Sequence, residues 1–304
     1  MVPEKGGDFL QWLRGFYFTA KEGSISKASA IMGRGQPTIT QQIKSLESDL
    51  DVQLFVRTKK RMVLTEEGQK VLHGAIAIFE DLIALQASVS PNSDELTGQI
   101  KIVGTHAVLM NFLPRFVLSF KQKFPKPFFR LDSGSLEYIL NSVENADADM
   151  GIACIDQAPE RMSAEPIFQT RPLLVSSMNK KEFMIKKPTL AKIAKLPFIS
   201  FQTGSSISTF VRNHFAKKGL HLNVVLELNH FEHVKKYVEL GFGVSIMDEY
   251  TLHDQDYDRL RIQEVPELEE DSKRIYKLIT RQNGYLTPAA RAFQELLRKP
   301  TGIF

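Results

Sequence analysis

Apolar positions recur at helical spacing through the N-terminal part of the chain. Ile39, Ile43, Leu46 and Leu50 lie four, three and four residues apart, which predicts one apolar stripe along a helix. Thr38, Thr40, Gln41, Gln42, Lys44 and Ser45 fall off that stripe, leaving a polar face of amides and hydroxyls with one cation. Gln36-Pro37 opens this helix, and proline suits a first turn because its missing N–H needs no partner there. Upstream, Phe9, Leu10, Leu13, Phe16, Tyr17 and Ala20 predict another helix, closed at Gly23-Ser24, with Ser24 or Ser26 placed to cap the next. Gly33-Arg34-Gly35 is the turn between the second and third helices. The pattern is that of a helix-turn-helix. Its polar face is either solvated or reads base edges: amides pair with adenine, hydroxyls with several bases, lysine with guanine or phosphate.

Leu54 and Phe55 are placed to close a small core, and Val63-Leu64 reads as a returning strand. The tip between them is basic: Arg57, Lys59, Lys60 and Arg61. Alone it is a solvated charge run; beside a helix-turn-helix it is a wing, placed to touch the phosphates flanking the major groove. Thr65-Glu66-Glu67 begins a helix with a hydroxyl cap and acids in the first turn. Val71, Ala75, Ile78, Leu82, Leu85 and Val89 then keep heptad spacing, which suits either a dimer coiled coil or a helix lying on its own domain. Pro91 to Glu95 ends it as a linker.

From Gln99 the pattern alternates between strands and helices. Strands are expected at Gln99–Gly104, Phe128–Leu131, Asp149–Cys154, Leu173–Ser177, Phe198–Phe201, Val224–Leu228, Gly243–Met247 and Tyr276–Thr280. Helices are expected at Phe112–Phe124, Leu136–Asn145, Leu190–Ala194, Thr209–Lys217, Phe231–Leu240 and Pro288–Arg298. This predicts an α/β domain with mostly parallel sheets.

Charge sharpens the N-terminal reading. Residues 1–63 hold ten Lys or Arg against six Asp or Glu, whereas residues 64–304 hold 29 of each. The whole net charge of +4 therefore sits with the helix-turn-helix pattern, where a basic excess favours a polyanion through counterion release. With 43% apolar and 24% charged residues the chain reads as globular. It has no run of about 18 apolar residues, so no membrane span is expected. The N-terminus lacks a charged start followed by an apolar core, so a cytoplasmic protein is expected. The single Cys154 excludes an internal disulfide and a cysteine-based zinc cluster.

Three turns lie just after expected strands and just before expected helices: Thr105-His106, Ser133-Gly134-Ser135, and Gln202-Thr203-Gly204-Ser205-Ser206. Ligands in open α/β sheets bind beyond the carboxyl ends of strands. Hydroxyls and free amides at helix N-termini favour an anion such as a carboxylate or sulfate, although each turn alone also reads as ordinary capping. His106, His230 and His233 are candidates to titrate or touch the ligand; their spacing fits no metal, and no cofactor is expected. An enzyme on an α/β fold is the main rival reading. It lacks a Gly-x-Ser-x-Gly elbow and a P-loop, and Gly241-Phe242-Gly243 is too short for a dinucleotide fingerprint. Cys154 falls within a buried strand and reads as core, so no catalytic residue is assigned. The other rival is a cytoplasmic solute-binding sensor whose N-terminal module binds protein.

Phe16, Glu22-Gly23-Ser24, Ala28, Gln36-Pro37-Thr38-Ile39-Thr40-Gln41-Gln42-Ile43, Leu46-Glu47, Leu50, Leu54-Phe55, Arg57 and Leu64-Thr65-Glu66-Glu67-Gly68 together resemble the N-terminal region of LysR-type transcriptional regulators. The rest of the chain also looks like this family. The resemblance implies a winged helix-turn-helix at 1–66, a dimerising linker helix and hinge at 67–95, and a periplasmic-binding-protein-like effector domain at 96–304. It divides that domain into lobe I, about 96–165 plus 271–304, and lobe II, about 166–270. Ser24, Gln36, Pro37, Thr38, Thr40, Gln41, Lys44, Arg57, Lys59, Lys60 and Arg61 are then the expected DNA contacts. Val71, Ala75, Ile78, Leu82 and Leu85 form the expected dimer seam. Thr105, His106, Ser133, Gly134, Ser135, Gln202, Thr203, Gly204 and His230 are expected around a small anionic effector. The implied partners are double-stranded promoter DNA, a second and further copies (dimer to tetramer) and RNA polymerase. Gly35 departs from the family's usual serine, and Thr40-Gln41 from its common Ser-Arg. Within the family, Gly104-Thr105-His106 and the stretch from Val234 to Val244 resemble the group regulating cysteine biosynthesis and sulfur assimilation.

Overall fold

The structure, a computed structural model, describes residues 8–57, 61–88, 96–269 and 274–299. The chain divides into two units, Met1–Asn92 and Ser93–Phe304.

In the first unit, helices α1 (Phe9–Glu22), α2 (Ile25–Met32) and α3 (Gln36–Leu50) precede a hairpin of β1 (Phe55–Arg57) and β2 (Met62–Leu64) and then helix α4 (Glu66–Ser88). Leu13, Phe16, Ala28, Ile39, Ile43, Leu46, Leu54 and Phe55 form the core, with Leu72, Ala75 and Ile76 of α4 buried as well. Phe16 and Phe55 meet with ring centroids 5.3 Å apart. The end of α3 is tied to the hairpin by Glu47, whose Oε1 accepts from the Leu54 amide at 2.8 Å.

Three readings of this region change. Leu50 lies at the exposed end of the α3 stripe, since the helix stops there and Asp51 turns left-handed (φ 54°). Gln42 leaves the polar face: it packs against Gly15 of α1, where a Cβ would overlap its Oε1. Along α4 the apolar seam divides. Ala75 is buried and Val71 half-buried, whereas Ile78, Leu82 and Leu85 are exposed by 39%, 38% and 61%. The wing tip with Lys59 and Lys60, Val89 and the linker Pro91 to Glu95 lie outside the described residues.

The second unit holds three sheets in two lobes. One has five strands in the order β4 (Phe128–Ser133), β3 (Gln99–Gly104), β5 (Met150–Cys154), β12 (Arg274–Arg281), β6 (Met162–Thr170). A π-helical turn, Val108–Phe112, leads into α5 (Leu113–Lys123); α6 (Leu136–Glu144) and α12 (Pro288–Arg298) complete this lobe. Phe112, Phe168 and Tyr276 stack through its core, with ring centroids 4.2 Å and 4.7 Å apart. The other lobe has β7 (Pro172–Ser177) between β10 (Ser245–Asp248) and β11 (Leu260–Glu264), beside a parallel pair, β8 (Pro197–Phe201) and β9 (Asn223–Leu228). Its helices are α7 (Leu190–Ile193), α8 (Ser206–Lys217), α9 (Phe231–Glu239), α10 (Asp254–Tyr257) and α11 (Pro266–Glu269).

The sheets are mixed rather than mostly parallel. β3 is parallel to β4 and β5, but β12 runs antiparallel to β5 and β6, and β7 antiparallel to β10 and β11. The pattern of hydrophobic positions leaves β6 and β11 unread. β6 carries Glu165-Pro166 mid-strand, and β11 is mostly half-buried, so neither shows a clean alternation. Gly241-Phe242-Gly243 makes the turn from α9 into β10: Gly241 has φ 81°, and a Cβ on Gly243 would lie 2.5 Å from the Pro197 carbonyl oxygen. That approach lets Val244 exchange backbone bonds with Pro197 and Ile199 at 2.9 and 2.8 Å, joining the two groups of strands.

Gly68, on the first turn of α4, faces a similar constraint, since a Cβ there would overlap the Leu54 carbonyl oxygen. Gly68→Ala is therefore expected to cost about 1–3 kcal/mol through overpacking. Calorimetric unfolding checks this, and a first transition at the wild-type temperature would show that α4 shifts away freely.

Candidate functional site

The carboxyl ends of β3, β4, β8 and β9 converge on one cavity of about 550 Å³ in the second unit. Thr105, His106, Ser133, Gly134, Ser135, Gln202, Thr203, Gly204 and His230 all line it. Several of the hydroxyls also cap helices: Ser135 accepts from the Tyr138 amide at 3.2 Å, Ser205 from Ser208 at 3.2 Å, and Thr105 from Val108 at 3.4 Å. These hydroxyls thus cap helices and line the cavity at once. Thr203 is further tied to Glu227, which accepts from its amide at 3.1 Å. The imidazoles gather at one side: the His106 and His230 ring centroids are 4.6 Å apart, and those of His230 and His233 5.3 Å. Burial, then the neighbouring His106 and His233, holds His230 below the usual imidazole range.

In the first unit, Gln36, Pro37, Thr38, Gln41 and Lys44 are exposed on α3. Thr40 is half-buried, and its hydroxyl donates to the Gln36 carbonyl at 2.9 Å. Gln41 Nε2 donates to Ser45 Oγ at 3.4 Å. Ser24 caps α2, accepting from the Lys27 amide at 3.4 Å. Arg61 is exposed beside β2, Arg57 ends β1, and the Arg57 side chain with Lys59 and Lys60 lies outside the described residues.

Residues 10–69 match the family model for the bacterial regulatory helix-turn-helix protein, lysR family, and residues 93–301 match that for the LysR substrate binding domain. The chain belongs to the LysR family. This LysR-type regulator is 27% identical over 240 residues to the HTH-type transcriptional regulator cbl of Escherichia coli, covering 78% of this chain and 76% of that one. It is 28% identical over 277 residues to the HTH-type transcriptional regulator CysB of Burkholderia cenocepacia, covering 90% and 88%. A full-length OxyR variant from Pseudomonas aeruginosa shares its fold, with a TM-score of 0.77 at 15% identity over 96% of this chain and 95% of that one. The LysR-type regulator is thus a DNA-binding transcription factor with an effector-binding domain, and not an enzyme. Among the described residues no helix is long and apolar enough to cross a membrane.

Sequence reasoning missed the floor of the cleft. Asp248, at the end of β10, and Arg274, at the start of β12, are 5% and 3% exposed and paired: Arg274 Nε donates to Asp248 Oδ1 at 2.6 Å and Nη2 to Oδ2 at 3.1 Å. Arg274 also donates to the Ser206 carbonyl at 3.3 Å and to its Oγ at 3.0 Å. The Tyr276 hydroxyl donates to Asp248 Oδ2 at 3.0 Å, and Tyr250 donates to Tyr276 at 3.1 Å. Burial, then nearby charges including Asp248, drives both phenols far above their usual range, so they remain neutral donors. Cys154 also lines the cavity, half-buried, and burial pushes its thiol up, which fits an inert side chain. The available signal was a charge at the end of β10 and one at the start of β12, with nothing in the sequence to pair them.

Removing one partner of a buried pair strands the other charge. Asp248→Asn is accordingly expected to destabilise the second unit by about 3–5 kcal/mol, measured by urea unfolding of the full chain. A loss below about 1 kcal/mol would mean that solvent already reaches the pair.

Proposed function

We propose that this regulator binds a small anion in the cleft of its second unit, and that occupancy changes its operator binding or its contact with RNA polymerase. The observation that carries the effector reading is the meeting of turns from four parallel-strand ends, rich in hydroxyls and amides, around one cavity of about 550 Å³. The N-termini of α6, α8 and α9 open at or beside it, and such ends favour negative charge. Thr38, Thr40, Gln41 and Lys44 read bases in the major groove, while Ser24, Gln36, Arg57, Lys59, Lys60 and Arg61 position the backbone. The exposed Ile78, Leu82 and Leu85 of α4 form the seam of a dimer that assembles into a tetramer on DNA.

Three measurements test this. Fluorescence anisotropy with the DNA upstream of the regulator's own gene is expected to show specific binding that weakens steeply with salt. Gln41→Ala should relax sequence preference by about 1–3 kcal/mol, whereas Arg61→Ala should weaken all DNA nearly equally. Equal affinity for specific and random DNA at every salt concentration would sink the operator reading. Leu82→Glu is expected to yield monomers by light scattering, and unchanged assembly would put the seam elsewhere. Sulfate, methanesulfonate or acetate is expected to raise the melting temperature through the second unit. If none does, the anion reading fails.

A further inference from the structure

The cleft has few sources of positive charge. Among the described residues that line it there is no lysine and no arginine. The buried cation paired with the lining Asp248, Arg274, is committed to Asp248 and Ser206 by four hydrogen bonds. Lys235 on α9 is turned to Glu232 at 2.9 Å, Asp256 at 2.7 Å and the Thr251 carbonyl at 3.0 Å. What remains is a pair of imidazoles. His106 comes from the turn after β3 and His230 from the start of α9, so the pair spans the two lobes. His230 Nδ1 is buried and has no hydrogen-bond partner among the described residues.

We propose that an anion enters this cleft together with a proton: His230, beside His106, is neutral in the empty cleft and becomes the imidazolium that faces the bound anion. This rests on the anion reading and adds the regulation of that site by pH. The groups around the pair favour it. Burial and the two neighbouring imidazoles disfavour charge on His230 in the empty cleft. An anion reverses that balance by supplying the missing opposite charge. Of the carboxylates lining the cavity, Asp248 is neutralised by Arg274, and Glu137, exposed on the first turn of α6, would repel an anion that brought no proton. Glu232, on the first turn of α9, pairs with Lys235. Tyr250, Tyr276 and Cys154 are held in their protonated forms by burial and add no charge.

The sign of the linkage follows. The anion raises the pKa of His230, which burial and the neighbouring imidazoles hold below the usual imidazole range in the empty cleft. Affinity is therefore greatest below the empty-cleft value. It falls by about tenfold per pH unit as pH rises between the empty and occupied values, and levels off above them.

The test uses the full-length chain with sulfate and acetate, whose charges stay constant between about pH 6 and about pH 8.5. Titration calorimetry at each pH, in buffers of different protonation enthalpy, gives affinity and proton uptake together. The expected result is an affinity about tenfold or more higher at the lower pH, with about one proton taken up. In His230→Gln the pH dependence should vanish and low-pH affinity should drop to the high-pH level. His106→Gln should reduce the dependence, and it keeps the test independent of how well the His230 variant folds. Binding that is equal at both pH values, without proton uptake, overturns the proton linkage and leaves the anion reading standing. No binding of either ion at either pH overturns the anion reading as well. A His230→Gln protein that keeps the full pH dependence assigns the proton to another group and overturns the role of His230.

Discussion

Burying the Asp248 carboxylate and the Arg274 guanidinium removes two charges from water, and each is compensated within a few ångströms. Two bonds join them, Ser206 takes further guanidinium protons through its carbonyl and hydroxyl, and Tyr276 donates to the carboxylate. Desolvation is the largest single influence and opposes the charge on Arg274, but the groups around it, Asp248 foremost, together outweigh it and hold the guanidinium protonated. The pair is a fixed geometric constraint more than a source of stability, because desolvation consumes most of the Coulomb gain. Its three anchors lie on β12 of the five-stranded sheet, on β10 of the other lobe and at the N-terminus of α8. A shift of one lobe against the other would break bonds that nothing else can satisfy. The cavity therefore inherits its shape from this cluster, and Tyr250 and Tyr276 stay at its floor as neutral hydroxyls.

The same cluster explains why the cleft walls read as they do. With the Arg274 guanidinium held by Asp248 and Ser206, the walls are left with hydroxyls, amides, helix N-termini and imidazoles. For the proposed anion, uncharged donors at helix ends would recognise shape and hydrogen-bonding pattern without the strong, indiscriminate attraction of an exposed lysine. Such a site relies on position, and the turns are positioned by their own capping bonds at Thr105, Ser135 and Ser205. The hydroxyls that mark the site in the sequence are therefore the ones that build its local backbone.

Local patterns made much of this visible in the sequence. The α3 stripe of Ile39, Ile43 and Leu46 and the cap at Ser24 are statements about neighbours in sequence, as are the turns after β3, β4 and β8. All three of those turns line one cavity, as open α/β sheets bind at their carboxyl ends. What escaped depends on contacts distant in sequence. Asp248 and Arg274 are 26 residues apart and signal nothing until the sheets are assembled. Gln42 looked solvent-facing until Gly15, on another helix, brought α1 against it. The antiparallel placement of β12 follows from the chain's return from the second lobe, which no local pattern encodes. Strands such as β6 and β11 lack a clean alternation because mixed burial along them blurs the period of two.

Helix α4 shows how one period serves two environments. Its first half sends Leu72, Ala75 and Ile76 into the core of its own unit, and Phe79 packs on Tyr17 with ring centroids 5.2 Å apart. Further along, Ile78, Leu82, Ile83 and Leu85 are all exposed by between 38% and 61%. An ideal helix drifts by about 20° per heptad relative to a strict seven-residue repeat, so a seam cannot stay on one straight contact along its full length. The residues at heptad spacing begin beside the core at Val71 and Ala75 and leave it by Ile78. Four large apolar side chains held at the surface within about two turns cost solvation that a polar sequence would avoid at no loss to the core. A second apolar surface of the kind the proposed dimer would supply offsets that cost by covering them.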